Sequence, residues 1–265
     1  MRLIAIAMAP ALALVWVLYA RSQYRPEDKR LVAWLFVLGG AATMAALVLN
    51  HSLEKYTDLY PESPLMLNRF LFWVVGIGLN EEFAKMAVLL AVLYPRKDFV
   101  TGYQGLLGAA TVALGFAAVE NLIYLERYGT ATLLLRSALT VPAHAGFSIP
   151  MGVLAARAKR AQSPQETYKW LAAGLMISIG LHGTYDWWLS MNHPVWSNLA
   201  YVQLVLTIWL GWRLLVFYTP LPPLPDAVSP DALPPGTLPP DGLSADSGRE
   251  TGRETGRETG RETGA

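Results

Sequence analysis

The 265-residue sequence contains no cysteine, which excludes a disulfide framework, a zinc site with cysteine ligands and a cysteine nucleophile. It also lacks the HExxH spacing of many zinc peptidases and the GxSxG turn of serine hydrolases. Charge is scarce, since 15% of the residues are Asp, Glu, Lys or Arg and the formal net charge is +1. So small a net charge gives no basic surface for a nucleic acid, and we expect no nucleic-acid partner.

The chain is instead rich in long apolar runs, with 53% hydrophobic residues. Aromatic residues lie near the ends of these runs, as they do at membrane interfaces: Trp16, Tyr19, Tyr56, Tyr60, Trp170, Trp187, Trp188, Trp196 and Tyr218. A bilayer core about 30 Å thick requires about 20 apolar residues per helix. We therefore predict an all-α, polytopic transmembrane bundle of about seven spans, at 3–20, 31–49, 66–94, 101–121, 131–156, 170–189 and 195–217.

The third predicted span is too long for an upright helix, because 29 residues rise about 43 Å at 1.5 Å each. It must tilt, protrude or break near Gly76-Ile77-Gly78, and a break would give eight spans.

Basic residues alternate between the gaps that separate the spans. They are concentrated after the first, third and fifth spans, at 21–30, 96–97 and 157–169, and are sparse in the other gaps. Because Lys and Arg mark the cytoplasmic side, the N-terminus is predicted outside and the C-terminus in the cytoplasm. The first span carries only Arg2 before it, so we expect a retained helix rather than a signal peptide.

The composition changes after the last span. Residues 220–240 hold nine of the 18 prolines, and 248–263 are four copies of Gly-Arg-Glu-Thr. Neither stretch can bury a core, so we predict a membrane domain at 1–218 and a disordered tail at 219–265.

A few ionisable or amide side chains lie within the apolar spans. A charge near the bilayer centre costs at least a few kcal/mol, so such residues normally face a protein interior and have a function. Those that we single out lie in the third to sixth spans: Glu81, Glu82, Lys85, Glu120, Asn121, Arg136, His144, His182 and Asp186. The first two spans have no ionisable residue and are predicted to be scaffold.

Helical spacing predicts which of these side chains meet. Glu81 and Lys85 are four residues apart and share a face, whereas Glu82 is turned by about 100°. Lys85 can therefore neutralise or orient one carboxylate and leave the other available. His182 and Asp186 are also four apart, so the carboxylate could fix the tautomer of the imidazole. Counted inward from the outer ends of the spans, the polar residues could converge on a cavity in the outer half of the membrane.

Simpler roles exist for single residues. Lys85 could form an ion pair that locks two helices, Asn121 and Asp186 could cap helix ends, and His144 could be a packing histidine. The concentration of three glutamates and two histidines on four consecutive spans favours a functional site over these roles.

The three glutamates and the two histidines lie in four short motifs. They are Glu81-Glu82-Phe83-Ala84-Lys85 (EExxK), Gly115-Phe116-Ala117-Ala118-Val119-Glu120-Asn121 (GFAxxEN), Pro142-Ala143-His144-Ala145, and His182-Gly183-Thr184-Tyr185-Asp186 (HGxxD). In this order they resemble the motifs of the PrsW family of intramembrane proteases, related to the group of CAAX prenyl endopeptidases and bacterial Abi proteins. The resemblance extends over residues 30–217 and does not include the tail.

The resemblance implies hydrolysis of a peptide bond in a single-span, membrane-anchored protein, near the outer face of the bacterial cytoplasmic membrane. Site-1 cleavage of an anti-sigma factor is the bacterial example. Catalytic roles would belong to Glu81, Glu82, Glu120, Asn121, His144 and His182, with Asn121 donating to an oxyanion, and supporting roles to Lys85 and Asp186. The partners implied are this substrate and the lipid bilayer; no oligomeric state follows.

Two versions of the hydrolysis stay open. In one, a zinc ion held by His144, His182 and Glu120 lowers the pKa of bound water. In the other, a glutamate acts as the base without a metal, and the histidines and Asn121 polarise the carbonyl. We favour zinc because three helices can supply two imidazoles and a carboxylate.

Two other classes of protein could use the same residues. A proton-coupled transporter also uses buried Glu and His, but such proteins often have repeated halves, and the sequence contains no such repeat. A non-catalytic scaffold that binds a partner helix would tolerate alanine at Glu81 and Glu82.

Overall fold

A computed structural model describes residues 2–21 and 27–219. Within these ranges the regular structure is entirely helical and contains no strand, which confirms the all-α prediction. The predicted disordered tail, apart from Thr219, lies outside the described residues, so its disorder stays a prediction.

The described residues form seven α-helices and two π-helices. They are α1 (Arg2–Ala20), α2 (Lys29–Tyr56), α3 (Met66–Phe70), π1 (Leu71–Gly78), α4 (Leu79–Val88), π2 (Leu89–Leu93), α5 (Gly102–Ala158), α6 (Pro164–Ser190) and α7 (Pro194–Tyr218). Each of the seven predicted spans coincides with a helical segment of the structure. Three described helices, α2, α5 and α7, are long and apolar enough to cross a membrane on length and composition. The count of about seven crossings stays a prediction.

The third predicted span is a composite helix at 66–93, formed by α3, π1, α4 and π2. Gly78 and Leu79, where π1 meets α4, both have right-handed helical φ and ψ. The chain therefore does not break near Gly76-Ile77-Gly78. It widens instead into the i→i+5 pattern of a π-helix, a feature frequent at functional sites.

The fourth and fifth predicted spans are the two halves of α5. They are divided at Gly129, whose φ of 79° and ψ of −173° are not helical. Glycine adopts positive φ without the steric penalty of a side chain. The halves then run back along each other: a Cβ on Gly105 would overlap the backbone of Gly152, and one on Gly152 would overlap Gly105.

The first half of α5 is the centre of the bundle. Nearly every residue from Gly102 to Ala118 is buried, as expected for a helix that is apolar on all sides. Residues of α1, α2 and α7 pack around it in one apolar cluster. Its N-terminus is fixed by a capping box between Thr101 and Gln104. This buried helix carries Glu120 and Asn121 at the end opposite the cap.

Candidate active site

The polar residues predicted to meet are brought into one buried cluster by three helices. The composite helix supplies Glu81, Glu82 and Lys85 through α4; α5 supplies Glu120, Asn121, Arg136 and His144; and α6 supplies His182 and Asp186. The depth of this cluster in a bilayer stays a prediction.

Glu82 is the centre of the cluster and is fully buried. Its Oε1 accepts hydrogen bonds from Lys85 Nζ at 2.7 Å and from His182 Nδ1 at 2.8 Å. Its Oε2 accepts one from the Ser148 hydroxyl at 2.8 Å. With both oxygens engaged, Glu82 holds its neighbours in place and has little capacity left for a water molecule.

Lys85 pairs with Glu82 rather than with Glu81. Its Nζ lies 4.0 Å from Glu81 Oε2, against 2.7 Å from Glu82 Oε1. The spacing argument favoured Glu81, but a side chain three residues away is equally within reach on a helix. Ser148 and His182 hold Glu82 in place, and this decides the pairing. Glu81 is thus the carboxylate that stays available.

His182 is oriented by two carboxylates. Because the Glu82 carboxylate can only accept, Nδ1 carries a hydrogen and donates it. Nε2 then faces Asp186 Oδ2 at 3.3 Å, the contact predicted from their spacing, and Glu81 Oε2 at 3.7 Å. Glu82 therefore directs Nε2 of His182 towards Glu81.

His144 lies between a cation and a carboxylate. Lys85 Nζ is 3.1 Å from Nδ1, and since an ammonium only donates, Nδ1 accepts. Nε2 lies 2.8 Å from Glu120 Oε2 and so donates to it. Both nitrogens of His144 are engaged in this arrangement.

Arg136 and Asn121 support Glu120. Arg136 Nη2 is 2.7 Å from Glu120 Oε2, and its Nε donates to Asn121 Oδ1 at 3.2 Å. The Asn121 amide also donates to the Ser137 hydroxyl at 3.5 Å. Asn121 is fully buried and does not line the cavity described below. These contacts make Asn121 an anchor for Arg136, and its predicted role as an oxyanion donor stays a prediction.

A cavity of about 190 Å³ opens beside the cluster, between α2, the composite helix and the first half of α5. Glu81 and Glu120 line it, together with Asn50, Trp73 and other side chains. Glu81 Oε2 is buried and has no hydrogen-bond partner, whereas Glu120 Oε2 is engaged by His144. Glu81 thus lines the cavity and has one carboxylate oxygen that accepts no hydrogen bond.

A metal ion could be held by Glu81, His144 and His182, which each offer one ligand atom within 4.8 Å of the others. The unpaired oxygen of Glu81 fits such an ion, as do the two imidazoles. An ion would have to displace Lys85 or Glu120 from His144, because both nitrogens of that ring are engaged. The sequence prediction named Glu120 as the carboxylate ligand. In the structure the carboxylate that lies within reach of both His144 and His182 is that of Glu81, and Glu120 pairs with Arg136.

Sequence reasoning did not identify Ser148 and Asn50 as site residues. Ser148 lies four residues after His144, so helical spacing could have placed both on one face. Asn50 lies at the end of an apolar span assigned to the scaffold, and its amide carries no charge to draw attention to it. Asn50 Nδ2 lies 3.4 Å from Glu81 Oε1.

Two glycines allow the composite helix and α6 to cross closely. A Cβ on Gly78 would lie 3.2 Å from the backbone of Gly183, and one on Gly183 would overlap Cα of Val74. The crossing places α4 beside His182.

We expect Gly183→Ala to lower the peptidase activity that the four motifs imply by about 100-fold, because separating the helices by about 1 Å misplaces His182 relative to Glu81 and Glu82. Gly180→Ala is the matched control, since a Cβ there meets nothing within 4 Å. It should retain activity and raise stability by up to about 1 kcal/mol, the gain in helix propensity. Equal activity in the two variants would contradict the steric argument.

Comparison with known proteins places the chain in a family. The family model described as PrsW family intramembrane metalloprotease matches residues 27–212. Protease PrsW of Bacillus subtilis (strain 168) is 30% identical over 210 residues, 79% of this chain and 91% of that protein. Protease PrsW of Geobacillus kaustophilus (strain HTA426) is 33% identical over 187 residues, 71% of this chain and 79% of that protein. No solved structure matches.

These matches confirm the resemblance drawn from the four motifs. They agree with the three long apolar helices in indicating an integral membrane protein. The chain belongs to the PrsW family of intramembrane metalloproteases.

Proposed function

We propose that the chain hydrolyses a peptide bond of a single-span membrane-anchored protein, with Glu81 as the carboxylate that activates water. The observation that carries this proposal is that Glu81 lines the cavity and that its buried Oε2 has no hydrogen-bond partner. Glu82 is the weaker candidate because both its oxygens are engaged.

Hydrolysis requires a base for the water, a donor for the oxyanion and a proton for the leaving amine. Glu81 takes a proton from the water while the water oxygen attacks the carbonyl carbon of the peptide bond. It returns that proton to the amine nitrogen as the C–N bond breaks. His182 Nε2, 3.7 Å from Glu81 Oε2, is placed to donate to the carbonyl oxygen when it carries a hydrogen. Glu82 and Asp186 orient that ring from its two nitrogens.

The excess of carboxylates over basic side chains in the cluster favours a metal cation that takes part in the hydrolysis. Four carboxylates, each negative when ionised, share the cluster with two basic side chains, Lys85 and Arg136; the carboxylates are Glu81, Glu82, Glu120 and Asp186. One divalent ion would balance the remaining two negative charges. Zinc held by Glu81, His144 and His182 would supply Lewis-acid polarisation of the carbonyl and a more acidic water; Glu81 Oε2 and His182 Nε2 would then be ligand atoms in place of base and donor.

We also propose an orientation of the chain in the membrane and a substrate. We place the N-terminus outside, the tail at 219–265 in the cytoplasm, and the cleaved bond near the outer face of a bacterial cytoplasmic membrane, with about seven crossings in the domain at 1–218. An anti-sigma-factor-like protein, cleaved at site 1, is the proposed substrate. The basic residues between the spans support the orientation.

The test is cleavage by the purified full chain in detergent, on a panel of single-span peptides that differ in the segment beyond the outer end of the span. We expect cleavage of at least one peptide, loss of activity after stripping with a chelator, and recovery on adding zinc. Full activity after stripping would remove the zinc step and leave the glutamate step. Folded protein that cleaves no peptide but moves protons across vesicles would favour a transporter instead.

A further inference from the structure

We propose that Asn50 is a positioning residue that holds Glu81 through Oε1 and leaves Oε2 without a hydrogen-bond partner. This inference rests on the proposed function of Glu81 and adds a residue from α2, a helix that carries none of the four motifs. Asn50 acts through Glu81 and is not itself assigned a contact with the reacting atoms.

The orientation of the Asn50 amide follows from its two partners. Asn80 Nδ2 donates to Asn50 Oδ1 at 3.0 Å. With that oxygen engaged, Asn50 Nδ2 is directed at Glu81 Oε1, 3.4 Å away. A carboxylate can only accept and an amide nitrogen can only donate, so Asn80, Asn50 and Glu81 form a chain with one direction.

This chain fixes which oxygen of Glu81 is free. Oε1 is held by Asn50, and Oε2 is left buried without a hydrogen-bond partner. The nearest basic groups to Oε2 are His182 Nε2 at 3.7 Å and Lys85 Nζ at 4.0 Å, both beyond hydrogen-bond distance. Without the restraint from Asn50, the carboxylate can rotate towards Lys85 and form a closer ion pair. The base would then be paired and turned away from the water.

Asn50 therefore provides preorganisation. Restraint of a catalytic group before the substrate arrives affects the chemical step more than substrate binding, because a misplacement of about 1 Å can cost about 100-fold in rate. Asn50 lines the same cavity as Glu81, so the restraint acts where the water would stand.

The experiment compares Asn50→Leu with the wild-type full chain in detergent on a peptide that the wild type cleaves. We expect kcat to fall by about 10- to 100-fold while KM stays within about threefold. His51→Leu, on the exposed neighbour in α2, is the matched control and should keep both constants. A similar melting temperature for the two variants excludes general unfolding as the cause.

A double-mutant cycle with Asn80 tests the directional chain. Asn80→Leu should lower kcat less than Asn50→Leu, and the double variant should match Asn50→Leu alone, because both changes remove one restraint. Additive losses, or a rise in KM with unchanged kcat, would overturn the positioning role.

Two variants separate the role of Asn50 from the role of Glu81. If Glu81→Gln is inactive while Asn50→Leu cleaves at the wild-type kcat, the role of Asn50 is wrong and that of Glu81 stands. If Glu81→Gln cleaves normally, the proposed function of Glu81 fails.

Discussion

Glu81→Gln is expected to abolish cleavage of a single-span substrate while leaving the yield and melting temperature of the folded protein near those of the wild type. Glutamine keeps the size of the side chain and an oxygen for the hydrogen bond from Asn50, but it cannot take a proton from water. Loss of a general base typically lowers the rate by about 10²- to 10⁴-fold. Steady-state cleavage by purified protein measures this effect.

The control for this prediction is Glu126→Gln, which removes an exposed carboxylate from α5. It should retain the wild-type rate. Glu82→Gln should also lose activity, but with a lower melting temperature, because it leaves the buried ammonium of Lys85 without its closest partner. If Glu81→Gln retained most of the activity while Glu82→Gln lost it without destabilisation, the two glutamates would have to exchange roles.

Lys85→Met is expected to cause the largest loss of stability, about 3–5 kcal/mol, the usual effect of removing one partner from a buried ion pair. The ammonium is fully buried, pairs with Glu82 at 2.7 Å, approaches His144 Nδ1 at 3.1 Å and lies 4.3 Å from the centroid of the Phe116 ring. Methionine fills much of the same volume but leaves the negative charge of Glu82 uncompensated. Thermal unfolding in detergent measures the loss.

Two further variants distinguish charge from packing. Glu82→Gln combined with Lys85→Met removes both charges, and we expect it to recover at least half of the stability lost in Lys85→Met. Arg96→Met breaks the exposed ion pair with Asp98, 2.8 Å long, and should cost no more than about 1 kcal/mol. A double variant as unstable as Lys85→Met alone would assign the loss to packing.

The main features of the fold could be predicted from the sequence because a bilayer imposes a simple pattern. Long apolar runs had to be helices, and all of them lie on helices in the described residues. Charges within those runs had to face the protein interior, so the cluster of Glu81, Glu82, His144 and His182 could be expected from the four motifs.

The pairings within the cluster could not be predicted in the same way. Spacing along one helix allows Lys85 to reach Glu81 or Glu82, and the choice is made by Ser148 and His182 on other helices. Asn50 has no charge, and only its contact with Glu81 distinguishes it from other polar residues at the ends of apolar spans. Contacts between distant segments decide such details, and the period of a single helix carries no information about them.

The π-helix at Leu71–Gly78 determines how the helix that follows it is rotated about its axis. Its i→i+5 hydrogen bonds accommodate more residues per turn than an α-helix, so the chain before it and the chain after it follow different helical phases. Removing one residue from this segment would turn Glu81 and Glu82 around the axis, by less than the roughly 100° per residue of an α-helix because more residues share each turn. The segment can therefore accept changes of side chain more easily than changes of length, and π1 sets the rotational phase of the glutamate pair.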